Sequence, residues 1–302
     1  MSVSGPVAVL TNPSAGGRRQ RQLVPEITAR LASRDAELML VTARTAAEAE
    51  QACLQALDRG AGALIAIGGD GTFHTAIQAV AGTKTPFAVV PAGSGNDFAA
   101  ALGIPADPLA AAGQVAEALR TGTTRALDLA RVTGADGTQR WYGAVFAAGF
   151  DAIVNERANR MRWPRGDRRY DLAILLELLT LRPRHYRIRL DGGEPMSLEA
   201  VLVAVGNSPS YGGGIRICPT ADPADGMLDV VIGHRMGRIT LASLWPRAYR
   251  GTHLNHPRVD SHRARTIELD ADGVVGYADG ERCMPLPVTI TCEPGALRVL
   301  TP

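Results

Sequence analysis

The chain reads Ala63-Leu-Ile-Ala-Ile-Gly68-Gly-Asp-Gly-Thr72-Phe-His-Thr-Ala-Ile-Gln-Ala-Val80 across its most informative stretch. The apolar first part predicts a strand buried on both faces, and the last part predicts a helix. Glycines between them allow a sharp turn and close approach of a ligand. The helix N-terminus directs N–H groups toward that turn, which predicts a phosphate cradle. The acid in the middle of the loop favours a functional turn, although Asp70 would repel a phosphate unless a cation or a positioning role compensates. An ordinary tight turn is the alternative.

Two further turns of the same kind precede and follow this one. The apolar segment 7–10 leads into Thr11-Asn-Pro-Ser-Ala-Gly-Gly17 and a helical pattern. The apolar segment 87–90 leads into Pro91-Ala-Gly-Ser-Gly95 and another helical pattern. In an open parallel sheet such turns lie outside the carboxyl ends of the strands and can meet at a switch point. None of them fits the Walker or dinucleotide-binding fingerprints.

The composition is that of a globular protein with little net charge. Hydrophobic residues make up 46% of the 302 residues and charged residues 21%, which excludes a disordered chain. The net charge of +2 gives no field that favours nucleic acid as a partner. Four cysteines without C-x-x-C spacing indicate reduced thiols in a cytoplasmic protein. We see no signal peptide, and the apolar tract around 172–181 is too short to span a bilayer.

The pattern of predicted elements changes after about Asp128. Up to that residue strands alternate with helices, which predicts a doubly wound α/β domain with a mostly parallel sheet. Beyond it short strands dominate, among them a single strand over 141–146, and we expect an antiparallel β domain with helical insertions over about 152–181 and 238–250. Asp191-Gly192 and Asp272-Gly273 are hairpin-type turn signals.

Several segments, in order along the whole chain, are similar to the diacylglycerol-kinase catalytic family of bacterial lipid kinases. The segments are Asn12-Pro-Ser-Ala-Gly16, Gly68-Gly-Asp-Gly-Thr72, Pro91-Ala-Gly-Ser-Gly-Asn-Asp-Phe98, Gly149-Phe-Asp-Ala152, Gly212-Gly-Gly214 through Pro219, Ala221-Asp-Pro-Ala-Asp-Gly-Met-Leu-Asp-Val230, Asp279-Gly-Glu281 and Pro294-Gly-Ala-Leu-Arg-Val-Leu300. Ser94 departs from the Thr that is usual in this family, but either hydroxyl can serve the same hydrogen bond.

The resemblance implies a fold of two domains and a role for each. It implies an α/β nucleotide-binding domain over 1–128, to which the segment 289–302 returns, and a β-sandwich-like lipid-substrate domain over 129–288. It also implies ATP and Mg²⁺ as cofactors and a lipid acceptor, most plainly diacylglycerol, with phosphatidic acid as the product.

The resemblance further implies roles for individual residues. Asp279 would be the general base, and Glu281 would assist nucleotide or metal binding. Asp222, Asp225 and the carbonyl of Met227 would hold a structural Mg²⁺. The nucleotide would be bound by Asn12, Pro13, Ser14, Ala15, Gly16, Thr42, Gly68, Gly69, Asp70, Gly71, Thr72, Phe73, His74, Ser94, Asn96 and Asp97.

Chemistry is consistent with these roles, although each pattern has a structural alternative. A placed carboxylate can accept the proton of an attacking hydroxyl, and carboxylate and carbonyl oxygens suit Mg²⁺. Asp279-Gly280 could instead be a hairpin turn, an interpretation that fits Asp272-Gly273 better. Asp222 and Asp225 could be solvated loop acids.

A cluster of arginines with Trp163 precedes the apolar run 172–181, which suits the surface of an anionic membrane. A solvated loop before a core helix is the alternative. We therefore expect a cytoplasmic protein, peripherally associated with the inner face of the membrane, and leave a homodimer open. The cluster consists of Arg157, Arg160, Arg162, Arg165, Arg168 and Arg169.

Two other functions are compatible with the sequence. The acceptor could be a sphingoid base or another lipid alcohol. The protein could also be a catalytically weak regulator that binds nucleotide or lipid, although intact Asp279, Glu281 and glycine turns argue against this. NAD kinase has a similar G-G-D-G turn, but the segment Pro91–Phe98 and the C-terminal half favour the lipid kinases.

Overall fold

A computed structural model describes residues 3–11, 18–32, 37–93, 95–161, 163 and 168–301. The chain forms two compact units. Unit 1 comprises Met1–Leu129 and Glu293–Pro302, and unit 2 comprises Ala130–Cys292. In the described residues, no helix has both the length and the apolar character that crossing a bilayer would need.

Unit 1 alternates strands and helices. Its elements are β1 (Val7–Thr11), α1 (Arg18–Ala32), β2 (Leu38–Thr42), α2 (Ala46–Asp58), β3 (Ala63–Gly68), α3 (Asp70–Val80), β4 (Pro86–Pro91), α4 (Asp97–Ala101), α5 (Pro108–Thr121) and the first part of β5 (Thr124–Gly134).

The sheet of unit 1 is parallel, with the order β2-β1-β3-β4. Every residue of β1 and β3 is buried, because both strands lie inside the sheet and their apolar side chains can be covered on both faces. Arg298 and Val299 near the C-terminus pair in parallel with Pro86 and Phe87 of β4. The prediction of a doubly wound α/β unit is confirmed.

Local sequence signals set the ends of the helices that cover this sheet. The Thr45 hydroxyl accepts a hydrogen bond from the N–H of Glu48 at the start of α2. Asp107 caps α5 in the same way, and Gly122 ends α5 with φ of 69°. Such caps satisfy N–H and C=O groups that the helix itself leaves without partners.

Unit 2 begins with the second part of β5, and its described residues form strands and three helices. Its further elements are β6 (Gln139–Tyr142), β7 (Val145–Gly149), α6 (Phe150–Arg160), α7 (Arg168–Leu179), β8 (Arg184–Leu190), β9 (Met196–Gly206), β10 (Leu228–His234), α8 (Arg238–Arg250), a 3-10 turn (His253–Asn255), β11 (Val259–Ala264), β12 (Thr266–Asp270), β13 (Val275–Ala278), β14 (Glu281–Pro285) and β15 (Val288–Leu300), whose last residues belong to unit 1.

Strands of unit 2 pair in antiparallel fashion around the long strand β9. The first half of β9 pairs with β8, while its second half pairs with β7 and β10. β13 joins β7 to β14. One buried apolar cluster fills the interior between the strands, and a second lies between the sheet and α8. The prediction of an antiparallel, β-sandwich-like C-terminal half is confirmed.

One detail of the predicted pattern in unit 2 is wrong. The predicted strand over 141–146 is divided between β6 and β7, because the N–H groups of Gly143 and Ala144 donate to the carboxylate of Asp279. The predicted helical insertion over 152–181 is confirmed, and its described residues form two helices, α6 up to Arg160 and α7 from Arg168.

Candidate functional site

The carboxyl ends of the parallel strands in unit 1 lie at one edge of the sheet. Thr11 at the end of β1 is level with Thr42 of β2 on one side and with Ile67 of β3 on the other. The chain leaves β1 toward β2 and then returns to the opposite side of β1 as β3. This reversal of strand order is a switch point, where α/β sheets bind ligands.

The two glycine turns that follow β3 and β4 are packed backbone to backbone. The Ala92 N–H donates to the carbonyl of Gly68 at 2.9 Å. A Cβ on Gly93 would lie 2.5 Å from the Cα of Gly69, and a Cβ on Gly69 would lie 3.0 Å from the carbonyl oxygen of Gly95. Only glycine fits where the two backbones come this close. The glycines therefore allow the two turns to pack against each other, and they also allow each turn to bend sharply.

Asp70 connects the turn after β3 to α4. Its Oδ1 accepts a hydrogen bond from the N–H of Phe98 at 3.4 Å, so the residue after β3 is tied to α4. The rings of Phe73 and Phe98 stack beneath the turns with centroids 3.8 Å apart. Thr72 places a buried hydroxyl against Gly68, and that hydroxyl has no hydrogen-bond partner among the described residues.

The other predicted nucleotide-binding residues are partly described. Thr42 is exposed at the end of β2, and His74 lies in α3. Asn96 bonds through its side chain to both backbone groups of Gly93, and Asp97 is buried at the start of α4. The predicted residues Asn12, Pro13, Ser14, Ala15, Gly16 and Ser94 lie outside the described residues.

Asp279 and Gly280 form the turn of the hairpin between β13 and β14. Ala278 pairs with Glu281, so two residues make the loop, and φ is positive at both, 51° and 82°. Two positive φ values define the type I′ turn that Asp-Gly favours. The expectation that Asp272-Gly273 fits a hairpin better is wrong, because β12 and β13, which it connects, do not pair with each other.

Both carboxylate oxygens of Asp279 accept backbone N–H groups. Oδ1 accepts from Ala144 at 2.8 Å, and Oδ2 accepts from Gly143 at 3.1 Å. The backbone N–H of Asp279 donates to the carbonyl of Val145 at 3.0 Å. These bonds fix the orientation of the carboxylate.

The loop 222–227 carries the residues predicted to hold Mg²⁺. Asp222 accepts an N–H from its own loop, and Oδ1 of Asp225 accepts the N–H of Met227 at 3.0 Å. The other oxygen of Asp225 pairs with Arg263. Two carboxylates and a carbonyl suit Mg²⁺, yet a cation here would share Asp225 with a guanidinium. Within the described ranges no three His, Cys, Asp or Glu side chains are grouped as a metal site.

The predicted membrane cluster is described only in part. Trp163 is 78% exposed. Arg157 pairs with the buried Glu177 of α7, so that one of the predicted basic residues holds two helices together. Arg160 pairs with Glu156, while Arg162 and Arg165 lie outside the described residues.

The sequence analysis gave no role to two carboxyl groups that have polar partners in the fold, those of Asp151 and Glu156. Asp151 is buried, accepts a hydrogen bond from the Tyr211 hydroxyl, and its pKa is raised by burial to about 6. Glu156 accepts a hydrogen bond from the buried Tyr277, which, with two arginines, lowers the pKa of Glu156. Asp151 lies in the quoted segment 149–152, but nothing in the sequence indicated its partner.

Both halves of the chain match models of known families. Residues 6–132 match the model described as the diacylglycerol kinase catalytic domain. Residues 144–301 match the model described as the YegS C-terminal NAD kinase beta sandwich-like domain.

Individual relatives span the whole chain. A Mycobacterium tuberculosis protein named diacylglycerol kinase is 40% identical over 299 residues, which cover 99% of this chain and 96% of that protein. A crystal structure described as a diacylglycerol kinase from Bacillus anthracis has a TM-score of 0.71 at 21% identity, with 98% and 97% of the chains covered. An NAD kinase from Archaeoglobus fulgidus in complex with ATP has a TM-score of 0.57 at 16% identity, with 98% and 94% covered. These two structures are similar in fold.

Proposed function

Because the chain belongs to the diacylglycerol kinase family, we propose that it transfers the γ-phosphate of ATP to the hydroxyl of diacylglycerol and so forms phosphatidic acid. The observation that carries this proposal is the pair of glycine turns at the switch point of unit 1. Because the glycines of these turns carry no side chains, phosphate groups can approach the backbone at the N-terminus of α3. The N-terminus of a helix attracts anions.

In this proposal residues 1–128 and 289–302 form the nucleotide-binding domain. The turn Gly68–Thr72, with Phe73 and His74, lies against the phosphates, and Thr42 at the end of β2 contributes from the neighbouring strand. Asp70 contributes to the nucleotide site and, through its bond to Phe98, also ties the turn to α4. Further contacts come from Asn12, Pro13, Ser14, Ala15, Gly16, Ser94, Asn96 and Asp97.

Residues 129–288 form the lipid-substrate domain and supply the base. As the lipid hydroxyl attacks the γ-phosphorus, its proton passes to the carboxylate of Asp279, the new ester bond forms, and ADP leaves with the electron pair of the broken P–O bond. The two N–H donors of Gly143 and Ala144 keep that carboxylate oriented, which supports this role. Glu281, exposed at the start of β14, assists nucleotide or metal binding.

The proposal includes Mg²⁺ as the second cofactor. Asp222, Asp225 and the Met227 carbonyl would hold a structural ion. When bound, Mg²⁺ neutralises carboxylate charge and stabilises the loop. Because Arg263 already supplies one positive charge there, this ion would be bound weakly and in competition with the guanidinium.

We also propose peripheral contact with the inner face of the cytoplasmic membrane. Trp163 and, on α7, Leu175 and Leu179 expose apolar surface in a segment rich in arginine, as anionic interfaces favour. A homodimer is the assembly that the proposal allows besides a monomer, and light scattering distinguishes the two.

The experiment that tests the function offers the purified protein γ-labelled ATP, Mg²⁺ and vesicles containing diacylglycerol, sphingosine or monoacylglycerol. The proposal predicts label in phosphatidic acid. Label only in phosphorylated sphingosine would assign a different acceptor. ATP binding without label in any lipid would support a regulator and contradict the proposed activity.

A further inference from the structure

Glu156 on α6 binds both strands of the hairpin that ends in Asp279. The Tyr277 hydroxyl of β13 donates to Oε2 of Glu156, and Nε of Arg282 on β14 lies 3.4 Å from the same oxygen. Tyr277 and Arg282 are directly opposite each other in the ladder, so their side chains lie on one face of the hairpin. A single carboxylate therefore spans the two strands.

Apart from the hydrogen bonds of Asp279 with Gly143, Ala144 and Val145, the hairpin is attached to the sheet of unit 2 by few strand pairs. β13 pairs with β7 at two positions, Tyr277 with Ala147 and Ala278 with Phe146. β14 comes last in the strand order, and in the described residues β13 is its one strand partner. The ion pair of Arg282 with Glu156 accordingly links the outer strand, which carries Glu281, to a helix.

Charge and burial make this link strong. Tyr277 is 2% exposed, and its bond to Glu156 joins a neutral donor to an ionised acceptor, a type of hydrogen bond that is stronger than one between neutral groups. Arg160, one turn along α6, pairs with the other oxygen of Glu156. α6 follows β7 without a loop, so the helix and the hairpin are anchored on the same strand.

We propose that Glu156 is a positioning residue for phosphoryl transfer. It holds β13 and β14 against α6, so that Asp279 and Glu281 stay in their places while the acceptor hydroxyl is deprotonated. Glu156 acts through Tyr277 and Arg282 and contacts no reacting atom. This role rests on the functions proposed above for Asp279 and Glu281.

The test compares Glu156→Gln and Tyr277→Phe with the matched control Glu199→Gln. The control substitution also removes an ion pair in unit 2, because Glu199 pairs with Arg235 at 2.8 Å. Glu199 is remote in sequence from the hairpin. Small displacements of catalytic groups lower rates strongly, so we expect kcat to fall roughly ten-fold or more in both test variants. KM for ATP should change less than kcat, since most of the proposed nucleotide-binding residues are in unit 1 and only Glu281 is on the hairpin. The control keeps kcat within about two-fold, as expected for an exposed ion pair.

A double variant and Asp279→Asn separate the possible failures. Glu156→Gln with Tyr277→Phe should lose little more than Glu156→Gln alone, because Tyr277 acts through Glu156. Loss of melting temperature with unchanged kcat in both test variants would overturn the positioning role. If Asp279→Asn keeps full activity, the proposed base is wrong, whatever Glu156→Gln does. Tyr277→Phe leaves both arginine pairs intact and serves where Glu156→Gln does not fold.

Discussion

Asp279 and Asp191 share a turn conformation at an Asp-Gly pair. Each has a positive φ, 51° and 46°, and precedes a glycine with positive φ. Each carboxylate accepts two backbone N–H groups, but Asp279 accepts those of Gly143 and Ala144 on two oxygens, and Asp191 accepts those of Arg265 and Thr266 on Oδ1 alone. The fold thus uses this turn twice, and its geometry alone does not identify a base. Asp191 is the natural control for every experiment on Asp279.

Gly93→Ala should weaken ATP binding. The added Cβ would lie 2.5 Å from the Cα and 2.9 Å from the backbone nitrogen of Gly69. Because both atoms belong to the backbone, the two turns must move apart. We expect the Kd for ATP to rise roughly ten-fold, which corresponds to about 1.4 kcal/mol. Gly113→Ala in α5 is the control, because its Cβ would meet nothing within 4 Å. Unchanged ATP affinity of Gly93→Ala in calorimetry would remove the turns from the nucleotide site.

Asp222→Ala should abolish any stabilisation by Mg²⁺. An ion that binds only the native protein raises the melting temperature by mass action, and removing one ligand ends that rise. Arg263→Gln is the informative partner variant, because it frees Asp225 from its ion pair and should increase the response to Mg²⁺. If wild type and Asp222→Ala melt alike across a Mg²⁺ titration, the loop 222–227 holds no structural ion.

The sequence predicts the sheet of unit 1 well, because local patterns determine it. Apolar runs such as 63–67 mark buried strands, and glycine turns mark their ends. The interruption at Gly143 and Ala144 had no local signal, since its cause is a carboxylate 135 residues away along the chain. Asp272 and Asp279 look alike in sequence. Only strand pairing decides which of them turns a hairpin.

The candidate site was predictable to a similar extent. The glycine turns and Asp70 can be recognised in the sequence. The bond between Asp70 and Phe98 cannot, because it depends on the packing of α3 against α4. The ion pair of Asp225 with Arg263 joins a loop to β11, and no spacing in the sequence indicates it.

Replacing Arg162, Arg165 and Arg168 with Gln should reduce binding to anionic vesicles. Each basic residue near such a surface contributes about 1 kcal/mol, and salt screens the effect. Activity on a short-chain, water-soluble acceptor should survive. Gln at the exposed residues Arg59, Arg125 and Arg298 is the control with equal change in charge. Equal sedimentation of both triple variants with vesicles, at low and high salt, would mean that the cluster is a solvated loop.

Asp151→Asn should remove part of the pH dependence of stability. Burial raises the pKa of this carboxyl to about 6, whereas the unfolded chain ionises near its ordinary pKa of about 4. The unfolded chain therefore releases this proton first, and the free energy of unfolding falls as pH rises from about 4 to 6. The full penalty, on the order of 3 kcal/mol, is present above that range.

Urea unfolding at pH 5 and pH 8 measures this effect. Asp151→Asn keeps an oxygen that can accept from Tyr211, and it should be more stable than wild type at pH 8. The difference between the two pH values should shrink in the variant. An identical pH dependence in both proteins would show that Asp151 is not the buried titrating group.

The most direct measurement is phosphorylation of diacylglycerol by Asp279→Asn and Asp191→Asn, followed with γ-labelled ATP. Asp279→Asn replaces one of two accepting oxygens by an NH₂ group, whereas the amide oxygen in Asp191→Asn can keep both N–H bonds, so Asp279→Asn should lose more melting temperature. Only Asp279→Asn removes the base, and its turnover should fall on the order of 10²-fold or more with little change in ATP affinity. Asp191→Asn should keep its turnover. Near-wild-type turnover of Asp279→Asn, or an equal loss in both variants, would contradict the proposed role of Asp279.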